Sequence, residues 1–174
     1  MSSFESWSLV IGGAAVGVNL ILFVVFALQL RALRRQVQLS ERIEQVAEGR
    51  ARRQATVEFY ATTHDRRIRF MRLFEERGLL TAEEVCEAAL SDKEVRNQLI
   101  DYLNYYEFLA VGVATDTYDY ETVRRLAAGR IMRIAEGYTA YIEWARATQD
   151  RRLLYTELEH LAQRLRTDAA TPPR

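Results

Sequence analysis

An uncharged run near the N-terminus constrains the fold of this chain more than any other feature of the sequence. Residues 7–30 contain no charged side chain, and most of them are Val, Leu, Ile, Phe, Ala or Gly. A helix from residue 9 to residue 30 would be about 33 Å long, enough to cross a hydrocarbon core of about 30 Å. The sequence therefore predicts a transmembrane helix at residues 7–30, preceded by a short extracytoplasmic N-terminus at residues 1–6.

Three arginines set the predicted orientation of this helix. Arg31, Arg34 and Arg35 follow the apolar run, and no Lys or Arg precedes it. Basic residues near a span are retained on the cytoplasmic side and attract anionic lipid. The prediction is a single-pass protein of the cytoplasmic membrane, with its N-terminus outside, its C-terminal domain in the cytoplasm and these arginines facing lipid. A cleaved signal peptide is the alternative, but it would have a basic segment before a shorter apolar core.

Small residues within the apolar run suggest a contact between two such helices. Gly13 and Gly17 are four residues apart, and Asn19 lies close to them in the sequence. Small residues at this spacing allow transmembrane helices to approach closely, and an amide in hydrocarbon gains from an interhelical hydrogen bond. These residues predict a homo-oligomer, although Gly is also common in membrane spans of other kinds.

The rest of the chain predicts a single helical domain. Apolar residues recur at helical spacing, and no segment alternates as a strand does. Residues 31–54 form a predicted juxtamembrane stalk, which is either a short coiled coil or a solvated helix. Residues 55–166 form a predicted cytoplasmic helical domain, and residues 167–174 a disordered tail. The predicted fold class is therefore all-α: one transmembrane helix that continues into a stalk and a small helical bundle.

Caps and turns set the predicted helix limits within the bundle. Thr81 with Glu84 and Ser91 with Glu94 match the capping box, in which a hydroxyl caps a helix and a Glu reaches back. The helix that follows the second box is apolar nearly all round, which predicts that it is central and buried. Helices are predicted at about 50–77 with a kink or restart at residues 62–63, at 82–90, from 92 to 114, from the turn at 115–121 to 147, and at 150–166.

Composition argues against several classes of protein. The 24 basic and 24 acidic residues cancel, so no overall positive field favours nucleic acid. The single cysteine, Cys86, excludes an internal disulfide and is interpreted as a small buried side chain. The sequence contains no phosphate-binding glycine loop, nucleophile elbow or Cys/His zinc array. It therefore predicts no enzyme, no cofactor and no metal.

Three polar residues in apolar surroundings form the candidate polar site. Asn104 and Glu107 are three residues apart on the central helix and therefore share a face. A buried carboxylate must be paired, hydrogen-bonded or protonated, so Glu107 is either a structural partner of a neighbouring helix or part of a ligand or metal site. His64 lies on the apolar face of the helix at 50–77 and is either a satisfied core histidine or a site residue.

Two weaker patterns carry some chemistry. Residues 157–160 read Glu-x-x-His, which is half of the motif found in di-iron bundles, but the second half is missing. Arginines cluster at 50–53, 66–72 and 124–125, and such clusters could bind phosphate. So close to a membrane, they are interpreted as lipid-facing or acid-pairing surface in preference to a nucleic-acid site.

Two segments of the chain resemble a known family. Residues 57–60, VEFY, and residues 102–112, YLNYYEFLAVG, are similar to a bacterial family catalogued as domain of unknown function 4760. The resemblance covers about residues 51–146. It implies an N-terminal span, an all-helical cytoplasmic part and a bacterial inner membrane, but it implies no activity and supplies no functional residues.

These features predict a single-pass, membrane-anchored helical interaction or scaffold protein without catalytic activity. Such a protein would associate with itself or with a protein partner. The alternative hypothesis is a membrane-tethered ligand sensor or enzyme with a polar site around His64, Asn104 and Glu107.

Overall fold

The computed structural model describes the backbone of residues 3–170 and the side chains of residues 26, 29–31 and 33–170. Over that part of the chain the protein is all-helical and contains no strand, which confirms the all-α prediction. The helices of residues 3–170 are α1 Ser3–Thr62, α2 His64–Glu76, α3 Ala82–Ser91, α4 Lys93–Ala114, α5 Tyr120–Gly137, α6 Thr139–Gln149 and α7 Thr156–Ala170.

The predicted transmembrane helix at residues 7–30 falls within α1. Within it, side-chain surroundings are described only for Phe26, Gln29 and Leu30, so the predicted contact through Gly13, Gly17 and Asn19 lies outside the described residues. Among the residues that are described, no helix combines the length and the hydropathy that a membrane crossing needs.

The chain divides into two compact units, Met1–Glu48 and Gly49–Arg174. The described side chains of the first unit belong to α1 and are exposed, including those of Leu39, Ile43 and Val46. The second unit contains the remainder of α1 and helices α2 to α7. This division falls a little before the predicted boundary between residues 54 and 55.

Helix α4 forms the centre of the second unit, as its sequence predicts. Leu99, Leu103 and Tyr106 are fully buried, and α4 packs against α2, α3, α5 and α7. The apolar pattern predicts a second buried face through Phe108 and Val111, but both are exposed, and the rings of Phe59 and Tyr118 cover Phe108 only in part. Burial of the long apolar face of α4 supplies much of the driving force for folding.

Of the two predicted capping boxes, the one at the start of α3 is correct and the one at the start of α4 is wrong. Thr81 caps α3 as the capping box predicts: its hydroxyl accepts from the N–H of Glu84, whose carboxylate accepts from the N–H of Thr81. Ser91, in contrast, is the last residue of α3, and Asp92 caps α4 by accepting from the N–H of Glu94 at 2.8 Å. A carboxylate is a stronger acceptor than a hydroxyl and interacts well with a helix N-terminus, so the cap shifts by one residue.

The helix predicted to run to residue 147 is two helices that meet at Tyr138. Gly137 lies at this junction, where a Cβ atom would come within 2.9 Å of the Ala82 side chain. Its close neighbour is therefore the start of α3. Gly129 has no close neighbour at all, since a Cβ there would meet nothing within 4 Å.

Helix α7 begins at Thr156 and not near residue 150. Asp150 and Tyr155 have left-handed backbones, with φ values of 50° and 60°, and bound an irregular connection before α7. Leu158, Leu161 and Leu165 are buried, and α7 packs against α4 and α5. Helix α7 therefore docks on the core of its own domain. It continues to Ala170, so the first four residues of the predicted tail are helical.

Candidate anion-binding cleft

The first residues after the break between α1 and α2 place the side chain of an arginine in the core. Helix α1 ends at Thr62 and α2 starts at His64, so the predicted restart at these residues is confirmed. In α2, Arg67, Phe70 and Phe74 follow one another at spacings of three and four and are all buried. Arg67 is only 3% exposed, although arginine is almost never fully buried unless it is paired.

The surroundings of Arg67 are aromatic and contain no counter-charge. Its guanidinium carbon lies 3.6 Å from the centre of the Tyr60 ring, in a cation–π contact. One terminal nitrogen donates to the hydroxyl of Tyr105 at 2.5 Å, and the other lies 3.5 Å from Nδ1 of His64. The Nε atom is buried and has no hydrogen-bond partner. No carboxylate of the described residues forms an ion pair with Arg67.

Arg67 lines a cleft of about 650 Å³ between α2 and α5, with tyrosines of α4 between them. This volume falls within the range of about 300–1,000 Å³ that is typical of ligand sites. We call it the Arg67 cleft. Its lining residues are His64, Arg67, Ile68, Met71, Arg72 and Glu75 of α2, Ala82 of α3, Tyr102 and Tyr106 of α4, Arg130, Arg133 and Ile134 of α5, and Tyr138.

Positive charge dominates the Arg67 cleft. Arg72, Arg130 and Arg133 join Arg67 in its lining, and Glu75 is the single carboxylate among the described lining residues. None of these four arginines forms an ion pair within the described part of the chain. A cleft lined by charge of one sign focuses the electrostatic field and attracts ions of the opposite sign.

A buried hydroxyl adds a neutral donor to the arginines. Tyr106 is fully buried, and its hydroxyl oxygen has no hydrogen-bond partner. Burial raises the pKa of the Tyr106 phenol, so it keeps its proton at neutral pH and can donate a hydrogen bond. Burial likewise raises the pKa of Tyr102, to about 12. Arginines and neutral phenols are donors, so the cleft suits a ligand that accepts hydrogen bonds and carries negative charge.

The three residues predicted to form a polar site are not brought together. His64 lines the Arg67 cleft, whereas neither Asn104 nor Glu107 does, and Asn104 is exposed. Glu107 instead caps α7 from the side, because its carboxylate accepts from the N–H of Leu158 at 2.8 Å and from that of Glu157 at 3.4 Å. This contact is a structural partnership with a neighbouring helix, one of the two alternatives that the sequence leaves open.

Burial and capping act on Glu107 in opposite directions. Partial burial raises the pKa of its carboxyl group, and the two backbone N–H donors of α7 oppose this rise without cancelling it. The helix N-terminus thus holds a carboxylate that is costly to bury.

The other predicted sites lie elsewhere. Arg31, Arg34 and Arg35 are exposed on α1, and their contact with lipid stays a prediction. His160 is exposed and lies 3.9 Å from the Glu157 carboxylate. Among the described residues, no group of His, Cys, Asp and Glu side chains could hold a metal ion.

The residues that make the cleft basic are only partly visible in the sequence. Arg67 belongs to the cluster at 66–72, which the sequence assigns to a surface, and no pattern singles out Arg130, Arg133 or Tyr106. The spacing of Arg67 with Phe70 and Phe74 is the available indication that this arginine faces inward.

The fold and the cleft define a small α-helical domain with a basic, tyrosine-lined cavity. The chain belongs to the family described as Domain of unknown function (DUF4760), whose model matches residues 14–165. This match confirms the resemblance seen in the sequence and extends it over most of the chain. No curated protein and no solved structure matches the chain.

Proposed function

We propose that this protein is a membrane-anchored helical receptor domain that binds a phosphate-bearing ligand in the Arg67 cleft and performs no chemistry of its own. The main observation behind the proposal is that Arg67 is buried in the core while its guanidinium forms no ion pair with a carboxylate of the described residues. A buried, unpaired charge costs several kcal/mol, and an anion bound beside it offsets that cost.

Phosphate is the class of anion that fits the donors best. Arginine is the side chain that proteins use most for planar, two-pronged contacts to phosphate oxygens. Arg130 supports Arg67 in this role, since its guanidinium lies 3.4 Å from the hydroxyl of Tyr60, the same residue whose ring contacts Arg67. Both arginines therefore meet at one tyrosine and can share one ligand.

Two features of the sequence support membrane anchoring. Residues 7–30 are uncharged and long enough to span a bilayer, and Arg31 follows them immediately. On this proposal the N-terminus is outside the cytoplasmic membrane and the Arg67 cleft is in the cytoplasm. A reporter fused after the last residue should be active only if it works in the cytoplasm, and activity confined to an extracytoplasmic reporter would contradict the orientation.

A phosphate titration tests ligand binding directly. The full chain in mild detergent is heated in increasing phosphate, with chloride added to keep the ionic strength constant. A ligand at 100 times its Kd stabilises the native state by about 2.7 kcal/mol, so we expect a saturable rise in Tm of about 10 °C.

Two arginines of α2 provide the variant and its matched control. Arg67→Met should lose the phosphate-dependent rise in Tm. Arg69→Met, an exposed arginine of the same helix that does not line the cleft, should retain it. An absent rise in the wild type, or an equal rise in Arg67→Met, would refute the proposal.

Self-association is a second candidate function, favoured by one observation. Leu39, Ile43 and Val46 are exposed on α1 at spacings of four and three, which is the pattern of a short coiled-coil seam. On this hypothesis the wild type is a homo-oligomer in detergent, and Ile43→Lys has a smaller mass by light scattering. An unchanged mass for Ile43→Lys would remove this stripe as the contact.

A further inference from the structure

The arginines of the Arg67 cleft are distributed along its length. Arg67 and Arg72 lie on α2, and at about 1.5 Å per residue they are about 7.5 Å apart along the helix axis. Arg130 and Arg133 lie on α5, about 4.5 Å apart along its axis. Each wall of the cleft therefore carries two arginines at different heights along its helix, and we call these heights the inner and the outer position.

Contacts with Tyr60 identify the inner position. Arg67 lies over the Tyr60 ring and Arg130 lies beside its hydroxyl, so these two arginines of opposite walls converge on one residue. Arg72 and Arg133 form the outer position, further along both helices.

We propose that the Arg67 cleft binds an oligophosphate chain, in which one phosphate lies against Arg67 and Arg130 and a linked phosphate lies against Arg72 and Arg133. This inference rests on the proposed function, because it assigns the inner position to the phosphate that the proposed function requires. Glu75 follows Arg72 by one helical turn and limits the chain, because its carboxylate repels a further phosphate at that end.

The outer arginines are suited to a second phosphate because they are available. Both are exposed, and neither forms an ion pair within the described part of the chain. Arg77, just beyond α2, shows the contrast, since its guanidinium is occupied by Asp92 and Glu94. An oligophosphate occurs either as an inorganic chain or as the tail of a nucleoside phosphate, and both present the same linked groups to these arginines.

Calorimetric titration of the full chain in mild detergent tests the inference. Orthophosphate, pyrophosphate and tripolyphosphate are compared at one ionic strength and without divalent cations. We expect pyrophosphate to bind at least about tenfold more tightly than orthophosphate, because one additional charge-assisted contact is worth about one factor of ten or more. The double variant Arg72→Gln, Arg133→Gln should lose this gain, so that pyrophosphate binds it no more than about twofold more tightly than orthophosphate does, even if both anions bind more weakly than to the wild type. Arg69→Gln, the exposed control on α2, should change none of the three affinities.

The outcomes separate the two proposals. If orthophosphate binds through Arg67 but affinity does not rise with chain length, the inference is wrong and the proposed function stands. If the double variant keeps the full gain, the outer arginines do not hold the second phosphate and the inference is again wrong. If none of the three anions binds, both proposals fail. A comparison of the affinities for adenosine triphosphate and tripolyphosphate then distinguishes a nucleoside phosphate from an inorganic chain. Tighter binding of the nucleotide indicates contacts beyond the phosphate groups, and equal binding indicates that the phosphate chain alone is recognised.

Discussion

Replacing Arg67 by methionine should make the protein more stable while it abolishes anion binding. Methionine matches the aliphatic part of the arginine side chain and carries no charge, and α2 already presents Phe70 and Phe74 on the same buried side. Most substitutions of a buried residue destabilise a protein, so a gain in stability would be informative. The expectation follows from comparing the favourable interactions of Arg67 with the costs of burying it.

The interactions that Arg67→Met removes are worth less than the burial cost that it relieves. The charge-assisted hydrogen bond to Tyr105 contributes about 1.5–3 kcal/mol and the cation–π contact with Tyr60 about 2 kcal/mol. Against these stand about 1–3 kcal/mol for the unpartnered Nε and several kcal/mol for desolvating a charge without a counter-ion. Tyr105 also keeps a partner, because the hydroxyl of Thr63 lies 3.2 Å from its own. We therefore expect the free energy of unfolding to rise by about 1–2 kcal/mol.

Urea unfolding of the full chain in mild detergent, in a buffer free of phosphate, sulfate and carboxylates, measures this difference. Tryptophan fluorescence is a suitable signal because Trp144 lies in α6 and contacts Tyr141. Arg69→Met is the control and should change the free energy of unfolding by no more than about 0.5 kcal/mol. If Arg67→Met is instead destabilised by more than about 2 kcal/mol, the tyrosines already compensate the guanidinium and no anion is needed beside it.

Two further perturbations test the packing of the domain. Burial raises the pKa of Glu107 above its ordinary value of 4.5, so its contribution to stability is largest below pH 4.5 and is lost as the pH rises through the raised pKa. Glu107→Gln should therefore remove this decline in stability from melting curves measured between about pH 4 and 8. Parallel curves for the variant and the wild type would contradict this expectation. A methyl group at Gly112 would overlap the ring of Tyr118, so Gly112→Ala should lower the free energy of unfolding in urea by about 1–3 kcal/mol. Gly129→Ala, where the added methyl meets nothing within 4 Å, should raise it by up to about 1 kcal/mol, and equal effects at the two glycines would show that Tyr118 moves aside freely.

Local chemistry makes the helices predictable. Thr81 and Glu84 cap α3 as their spacing indicates, and the nearly continuous apolar surface of α4 marks it as central. Where the sequence misleads, two local signals compete. Ser91 and Asp92 are adjacent and either could cap a helix, and the stronger acceptor is the one in use.

The connections between helices are less predictable, because long-range contacts determine them. The spacing of apolar residues continues through Tyr138, so nothing local separates α5 from α6. The close approach of Gly137 to Ala82 involves residues far apart in sequence. Similarly, Tyr155 adopts a left-handed backbone while its side chain is only 2% exposed, and burial in the core outweighs the local preference against that conformation.

The cleft could not be predicted for a related reason. Arg67 and Arg130 are on different helices, and only the packing of α2 and α5 on α4 brings both arginines to Tyr60. In the sequence, Arg67 is one of several arginines in α2, and its neighbours Arg66 and Arg69 are exposed. A charge cluster alone does not distinguish the one residue that faces inward.

Two charged groups removed from water, Glu107 and Arg67, differ in how far the described part of the domain supplies their partners. Glu107 is partly buried, and its carboxylate accepts two backbone N–H groups at the start of α7. Its hydrogen bonds are made within the domain, and its burial is explained by the helix that it caps. Arg67 is more deeply buried, its Nε has no hydrogen-bond partner, and no carboxylate of the described residues forms an ion pair with it. On the proposed function, an anion in the cavity beside Arg67 supplies the missing partner.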